Sequence, residues 1–412
     1  MDNVTMVINK GTLKKDQLNG YNVLITGAGG GIGYETVRAL LWLGARVIIA
    51  EVNKAKGKHA EAELNKEFGE NKAVFVHTDI GSEKSVKRLA RYVVKNFGKL
   101  DVLFNNATIA PIGAVHTVGI QKWNQSYDVN LKGPVLLISH FLPDMLKRNS
   151  GMVVFVPSSG AAPYMGAYEV FKTSQVELCN TLAGELEGTQ IVTYSIGPGI
   201  VKTETAIKSI EEIAPLYGKT VDEFFNMNKS VLITVEEAGA GFAASIALAS
   251  RYNALEIGSI QALTDAGIQV QEQKSDSRVV LSDEEKVSLL NTSNKIHTTF
   301  FQQMEGWHKR VVFERQWVLR DFKKCAGAVP ERFIEDLKEL ESVIQNNELP
   351  AVKFDKLPYH KLYVYYQHQM DLLKGYEKNQ DKLKENMDIM KEWLVDIDEF
   401  KEMHERVVSK VS

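Results

Sequence analysis

The chain has 412 residues, 44% of them hydrophobic, and a formal net charge of -3 at pH 7. That is enough apolar material for two or three well-filled cores, and the near balance of charge excludes a bulk attraction to nucleic acid or to an acidic membrane surface. Its two cysteines, Cys179 and Cys325, lie far apart without metal-ligand spacing, which favours a reduced, cytoplasmic setting, and no run of about 18 apolar residues is available to cross a membrane.

Met1 to Lys14 mixes charged and polar residues and lacks the apolar core of a signal segment. The first strong pattern is Val23 to Gly33, Val-Leu-Ile-Thr-Gly-Ala-Gly-Gly-Gly-Ile-Gly. Four residues of strand character run into a glycine cluster, and a helical pattern follows from Ile32 through Leu43. A strand, turn and helix of this kind can hold a dinucleotide pyrophosphate, because glycines let the backbone approach the phosphates while free N–H groups at the helix start face the anion. The spacing is T-G-x-x-x-G-x-G through Thr26, Gly27, Gly31 and Gly33, with Ile32 where G-x-G-x-x-G would need its third glycine. Taken alone, the cluster also reads as a plain flexible turn.

From Val23 to about Gly267, strand-like and helix-like segments alternate, the pattern of a parallel sheet covered by helices on both faces. The expected strands are Val23 to Thr26, Arg46 to Ala50, Ala73 to His77, Val102 to Asn105, Met152 to Val156, Ile191 to Ile196 and Ser259 to Thr264, mostly short continuous apolar runs. Glu51 closes the second strand, where an acid can take the adenosine ribose hydroxyls. Its carboxylate would repel a 2′-phosphate and Gly30 offers no basic side chain, so NAD is expected rather than NADP; a solvated strand-end acid is the alternative. Asp79 and Ile80 follow the third strand as further candidate cofactor contacts, although Asp79 could equally cap a turn.

Four further stretches carry a resemblance. Gly98-Lys99-Leu100-Asp101-Val102-Leu103-Phe104-Asn105-Asn106-Ala107 resembles the F-G-x-L-D-x-L-x-N-N-A-G segment of the short-chain dehydrogenase/reductase family. Val129-Asn130-Leu131-Lys132-Gly133 resembles its V-N-x-x-G, Tyr168 to Lys172 its Y-x-x-x-K, and Pro198-Gly199 with Thr203 its P-G-x-x-x-T. The resemblance runs in unbroken order over residues 18 to 267. It implies a doubly wound, Rossmann-type α/β domain over residues 1 to 270, with an NAD cofactor held by Gly27, Gly31, Ile32, Gly33, Glu51, Asp79, Ile80, Asn106, Ala107, Lys172, Pro198, Gly199 and Thr203.

Tyr168 and Lys172 lie four apart, so on one helix they share a face. A phenol with a pKa of about 10 is a poor base at neutral pH, and a nearby ammonium favours its ionised form. The resemblance implies that Tyr168 exchanges the hydroxyl proton while hydride passes to or from the nicotinamide, that Lys172 lowers the tyrosine pKa and binds the ribose, and that Asn130 supports a water-linked relay. An ordinary amphipathic pair is the alternative for any isolated Y-x-x-x-K. Ser158 falls where the family's catalytic serine belongs, but closer to Tyr168 than is usual, so Ser159 remains in contention. Thr108 replaces the glycine of N-N-A-G and Asp265-Ala266-Gly267 the usual D-G-G; both changes could reshape the pocket without removing a reacting group.

Between Glu204 and Ser230, Ile207, Ile210, Ile213, Leu216, Tyr217, Phe224, Phe225 and Met227 suit either a lid over an apolar or bulky substrate or the packing of two short helices. Gln271 to Ser282 reads as a linker into an all-α extension, residues 271 to 412, with helices over Ser282 to Lys324, Pro330 to Asn346, Pro358 to Leu373 and Tyr376 to Lys410. Ser282 and Glu285 form an expected capping box. Glu305 and His308 make a single E-x-x-H, one copy short of a di-iron site, so no metal is expected. Tyr359, Tyr363, Tyr365 and Tyr366 with His360 and His368 read as aromatic core more readily than as a pocket.

The expected function is interconversion of a small-molecule secondary alcohol and a ketone by an NAD-dependent enzyme without nucleic-acid or membrane partners. The apolar helical stripes suit homo-oligomerisation or docking. The alternatives are a catalytically impaired nucleotide-binding scaffold and an epimerase or dehydratase on the same fold.

Overall fold

Short apolar runs build the N-terminal sheet of the computed structural model, which describes residues 6–158, 162–227, 232–269, 278–310, 312–326, 329–374 and 380–410. By their internal packing the residues fall into two compact units, Met1–Gln271 and Glu272–Ser412.

In the first unit the chain forms β1 (Asn22–Thr26), α1 (Gly31–Trp42), β2 (Arg46–Glu51), α2 (Lys54–Phe68), β3 (Ala73–His77), α3 (Glu83–Phe97), β4 (Val102–Asn105), α4 (Ile120–Tyr127), α5 (Gly133–Arg148), β5 (Gly151–Phe155), α6 (Gly166–Glu185) and β6 (Ile191–Gly197). It continues with β7 (Ile200–Val201), α7 (Glu204–Ile213), α8 (Val221–Met227), β8 (Leu232–Ile233), α9 (Val235–Ala247), β9 (Glu256–Gly258) and α10 (Ser259–Asp265). Seven strands pair in parallel in the order β3-β2-β1-β4-β5-β6-β9. Every residue of β1 and β4 is buried, as strands covered on both faces require. The strand order reverses between β1 and β4, which opens a crevice beyond their carboxyl ends. The architecture is the doubly wound α/β sheet expected, followed by helices.

One expected strand is a helix. Ser259 to Thr264 falls in α10, and the seventh strand is the shorter β9 just before it. Ala262 and Leu263 are fully buried while Ile260 is exposed, a one-sided pattern that suits a helix. The partner surface is α9, whose small residues permit close approach: a Cβ built on Gly241 would stand 2.6 Å from the Ser259 carbonyl oxygen. Two short strands, β7 and β8, pair in parallel and were not signalled by so few residues.

The second unit holds β10 (Arg278–Val280), α11 (Asp283–His308), α12 (Val312–Ala326), α13 (Pro330–Gln345), β11 (Glu348–Pro350), α14 (Pro358–Lys374) and α15 (Gln380–Val408). The end of the expected linker is therefore a strand, antiparallel to β11; residues 270–277 lie outside the described residues. Ser282 and Glu285 make the capping box, with Ser282 Oγ accepting from the Glu285 amide at 3.3 Å and Glu285 Oε2 from the Ser282 amide at 3.0 Å.

The helix expected over Ser282 to Lys324 breaks between His308 and Val312. In one straight helix Trp307 and Phe322 would stand about 22 Å apart. Instead their ring centroids are 5.5 Å apart, and both rings pack with Phe300 and Tyr365. Burying these faces against each other outweighs the few backbone hydrogen bonds lost at the break. Tyr359, Tyr365 and Tyr366 are buried in the same core. His308 pairs with Glu331 at 3.1 Å on the exposed surface.

Candidate active site

The glycine turn sits at the carboxyl end of β1 and is closely packed against the end of β4. Gly27 has φ +68°, and a Cβ there would lie 2.8 Å from Ala107 Cα. Gly33 is equally tight, with a built Cβ 2.8 Å from Asn106 Nδ2, whereas one on Gly30 meets nothing within 4 Å. Thr26 Oγ1 accepts from the amides of Asn106 at 3.0 Å and Ala107 at 2.9 Å, and Asn106 Nδ2 donates to the carbonyls of Thr26 and Gly27. Asn106 and Ala107 thus fix the mouth of the crevice. Ile32 begins α1 beside Gly31 and packs against the Val201, Ile233 and Ala238 cluster.

Glu51 faces the turn from the end of β2. Its Oε2 accepts from the Gly29 amide at 3.2 Å and its Oε1 from the Asn53 amide at 2.8 Å. Asn53 in turn caps α2 through its side-chain oxygen. Asp79 Oδ1 accepts from the Gly81 amide at 3.0 Å, the turn-capping role weighed for it. Ile80 is buried in the helix-covered core, where its Cδ1 would be 2.9 Å from a Cβ on Gly133.

Gly199 takes φ +79° after Pro198, a turn that leads to Thr203. Thr203 caps α7 by accepting from the Ala206 amide at 3.0 Å, and its Cγ2 would be 3.8 Å from a Cβ on Gly31. The segment Pro198 to Thr203 therefore borders the glycine turn.

Between α4 and α5 the chain makes a π-helical turn, Asp128–Lys132, that carries Asn130. Asn130 is fully buried; its Oδ1 accepts from Thr108 Oγ1 at 3.1 Å and from the Ile109 amide at 3.2 Å, and its Nδ2 donates to Ile109 O at 2.8 Å and Ser126 Oγ at 2.9 Å. Its backbone carbonyl accepts from Gln175 Nε2. The Ser158 and Thr108 hydroxyls lie beside the Tyr168 phenol, and both favour its ionised form. Ser158, Tyr168, Thr108 and Asn130 therefore form one polar cluster. The Ser158 carbonyl is held by Thr173 Oγ1 at 2.8 Å, while Ser159, its rival, lies outside the described residues.

Lys172 is buried one turn along α6 from Tyr168, and its Nζ has no hydrogen-bond partner among the described residues. Burial brings its pKa down to about 7. Burial also pushes the Tyr168 phenol up, against the opposite pull of its two hydroxyl partners. Desolvation is the largest influence on both groups. A buried lysine whose Nζ has no acceptor among the described residues suits a ligand that brings hydroxyl groups, as a nicotinamide dinucleotide does.

Sequence reasoning passed over Thr108, Ser126 and Gln175. Thr108 stood out only as a departure from a family glycine, whereas the other two carry no motif. The apolar segment after Pro198 packs as a satellite core: Ile210, Ile213 and Phe225 join Ile112, with Tyr164 and Met165 against them. Tyr217 Oη donates to the Pro163 carbonyl at 3.1 Å, so this segment touches the loop that leads into Tyr168.

Residues 21–214 match the family model described as short chain dehydrogenase. The chain is 32% identical over 189 residues to an uncharacterized oxidoreductase of Thermotoga maritima, covering 45% of this chain and 73% of the relative. It is 31% identical over 205 residues to dehydrogenase/reductase SDR family member 4 of Homo sapiens, covering 49% and 73%. Among solved structures it resembles NAD+-bound xylitol dehydrogenase, with a TM-score of 0.54 and 25% identity over 58% of this chain and 97% of that one. An actinorhodin polyketide ketoreductase variant with NADPH gives 0.54 and 25% over 59% and 96%. The fold is that of short-chain oxidoreductases. This chain belongs to the short-chain dehydrogenase/reductase family.

Proposed function

We propose that the protein is an NAD(H)-dependent alcohol dehydrogenase or ketoreductase acting on an apolar or bulky secondary alcohol or its ketone. The observation that carries this reading is the polar cluster of Ser158, Tyr168, Thr108 and Asn130, with the buried Lys172 one helical turn from Tyr168. When bound, a nicotinamide dinucleotide supplies or accepts the hydride. Tyr168 exchanges a proton with the substrate oxygen, and Ser158 donates to that oxygen and orients it. Lys172 would hold the nicotinamide ribose through Nζ, a contact that would favour its charged form and so the ionised phenol one turn away. Glu51 supports NAD over NADP by presenting a carboxylate beside the turn. The satellite core of Ile112, Ile210 and Phe225 supports an apolar substrate. Exposed Ile120 and Tyr127 on α4 and Val135 and Leu146 on α5 support association with a second copy.

The test is an NADH absorbance assay over a panel of cyclic, aromatic, long-chain and small polar alcohols and ketones, with Tyr168→Phe as control. Turnover that the substitution abolishes, greatest on the bulky substrates, is the expected result. Binding of NADH without turnover would overturn it in favour of a scaffold, and a cofactor that never exchanges would point to an epimerase or dehydratase.

A further inference from the structure

The helical unit carries a cluster unrelated to the crevice. Asp321 and Cys325 lie one turn apart on α12, and α14, which packs against α12, brings His368 to them. One carboxylate oxygen, the thiol sulfur and one imidazole nitrogen lie within 4.8 Å of one another, and all three residues are half-buried. His368 Nε2 stands 3.2 Å from Asp321 Oδ1. We infer that Asp321, Cys325 and His368 form a binding site for a zinc-class divalent cation, with the fourth position open to water.

The ligand chemistry selects the ion class. Thiolate, imidazole and carboxylate together suit zinc, and hard cations such as magnesium or calcium would instead require an all-oxygen set. Tetrahedral bonds of the usual lengths place neighbouring ligand atoms about 3.3 to 3.7 Å apart. The 3.2 Å separation of His368 and Asp321 is close to that, and the remaining separations, none above 4.8 Å, are within reach of small side-chain rotations. The charges balance as well, because one thiolate and one carboxylate neutralise a divalent ion in a half-buried place. The other Asp321 oxygen, Oδ2, accepts from Gln369 Nε2, an outer contact that fixes the carboxylate with Oδ1 toward His368.

The same residue types could instead make a nucleophilic relay. That arrangement places an imidazole between thiol and carboxylate, one on each ring nitrogen, and so holds sulfur and carboxylate apart. Here those two also approach each other, and the three atoms converge on one point. On binding, the Cys325 S–H bond breaks, its proton leaves to solvent and the sulfur lone pair forms the metal bond; nothing is oxidised or reduced. His368 lies too far along the chain from Cys325 for any ligand spacing to announce the site.

The test is titration of the chelator-treated, tag-free full chain with cobalt(II), followed by displacement with zinc. One equivalent of cobalt should produce tetrahedral visible bands and a thiolate-to-cobalt charge-transfer band, both bleached by zinc, and zinc should raise the melting temperature. Cys325→Ser and His368→Ala should lose the charge-transfer band, Cys325→His should keep the visible bands without it, and Cys179→Ala should behave as the wild type. A wild-type chain without the charge-transfer band overturns the proposal, and so does a Cys325→Ser chain that keeps it. If a variant fails to fold by circular dichroism, the wild-type titration decides alone. None of these readouts depends on oxidoreductase activity.

Discussion

Thr108 Oγ1 donates to Asn130 Oδ1 at 3.1 Å and lies beside the Tyr168 phenol, whose ionised form it favours. The residue that replaces a family glycine is therefore a link between the proposed acid-base group and the buried asparagine. Given the proposed reaction, Thr108→Val, which keeps the branched shape and removes the hydroxyl, should lower kcat by about ten-fold, as expected for one hydrogen bond worth about 1 to 1.5 kcal/mol. KM should move little and Thr108→Ser should restore the rate. An unchanged kcat in Thr108→Val would show that the link is only structural.

The buried Lys172 makes a prediction about stability. Its folded pKa of about 7 lies below the unfolded value of 10.5, so between those values the unfolded chain binds more protons than the native one. Stability of the cofactor-free protein should therefore rise with pH above about 7, by about 2 to 3 kcal/mol by pH 9 if the whole shift were expressed. Tyr168 works in the opposite direction, but only near and above the unfolded phenol pKa of 10.0, so the useful window ends at about pH 9. Denaturant titrations across that window should show the rise in the wild type and a flatter profile in Lys172→Met. Parallel profiles would mean that Lys172 is solvated.

Glu51 holds the amides of Gly29 and Asn53 and so shapes the loop as well as presenting charge. Glu51→Ala should weaken NADH binding about ten-fold or more, the usual value of a charge-assisted hydrogen bond of about 1.5 to 3 kcal/mol, and shift preference toward NADPH. Fluorescence titration with both cofactors measures this. A wild type that binds NADPH as tightly as NADH would contradict the proposed preference.

Phe333 is fully buried in the helical unit, with ring centroids 5.1 Å from Phe300 and 5.5 Å from Phe322. Phe333→Ala should cost about 3 to 5 kcal/mol through the cavity it leaves. Tryptophan fluorescence should show the loss as an earlier denaturation midpoint, and an unchanged midpoint would mean that this core closes over the gap.

The sheet was legible because strands buried on both faces are continuous apolar runs, and β1 to β6 follow such runs to within a residue or so. Ser259 to Thr264 misled because a short run with two buried apolar residues has no decisive period, and the small residues of α9 that favour a helix there lie elsewhere in the chain. The break before α12 depends on where Trp307 and Phe322 find each other, which local pattern does not record. At the crevice, motif order singled out Ser158, Tyr168 and Asn130, and the structure joins them. Thr108 escaped because a deviation from a pattern shows what is missing and not what the new hydroxyl touches.

The π-helical turn from Asp128 to Lys132 sets two demands against each other. From the helix's standpoint it holds one residue too many, and deleting that residue would let α4 run into α5 with ordinary pairing. From the crevice's standpoint the surplus residue is what rotates Asn130 inward to meet Thr108 and Ser126. A one-residue shortening would tidy the backbone and dismantle the polar centre together, so this is a position where greater regularity and chemical competence pull in opposite directions.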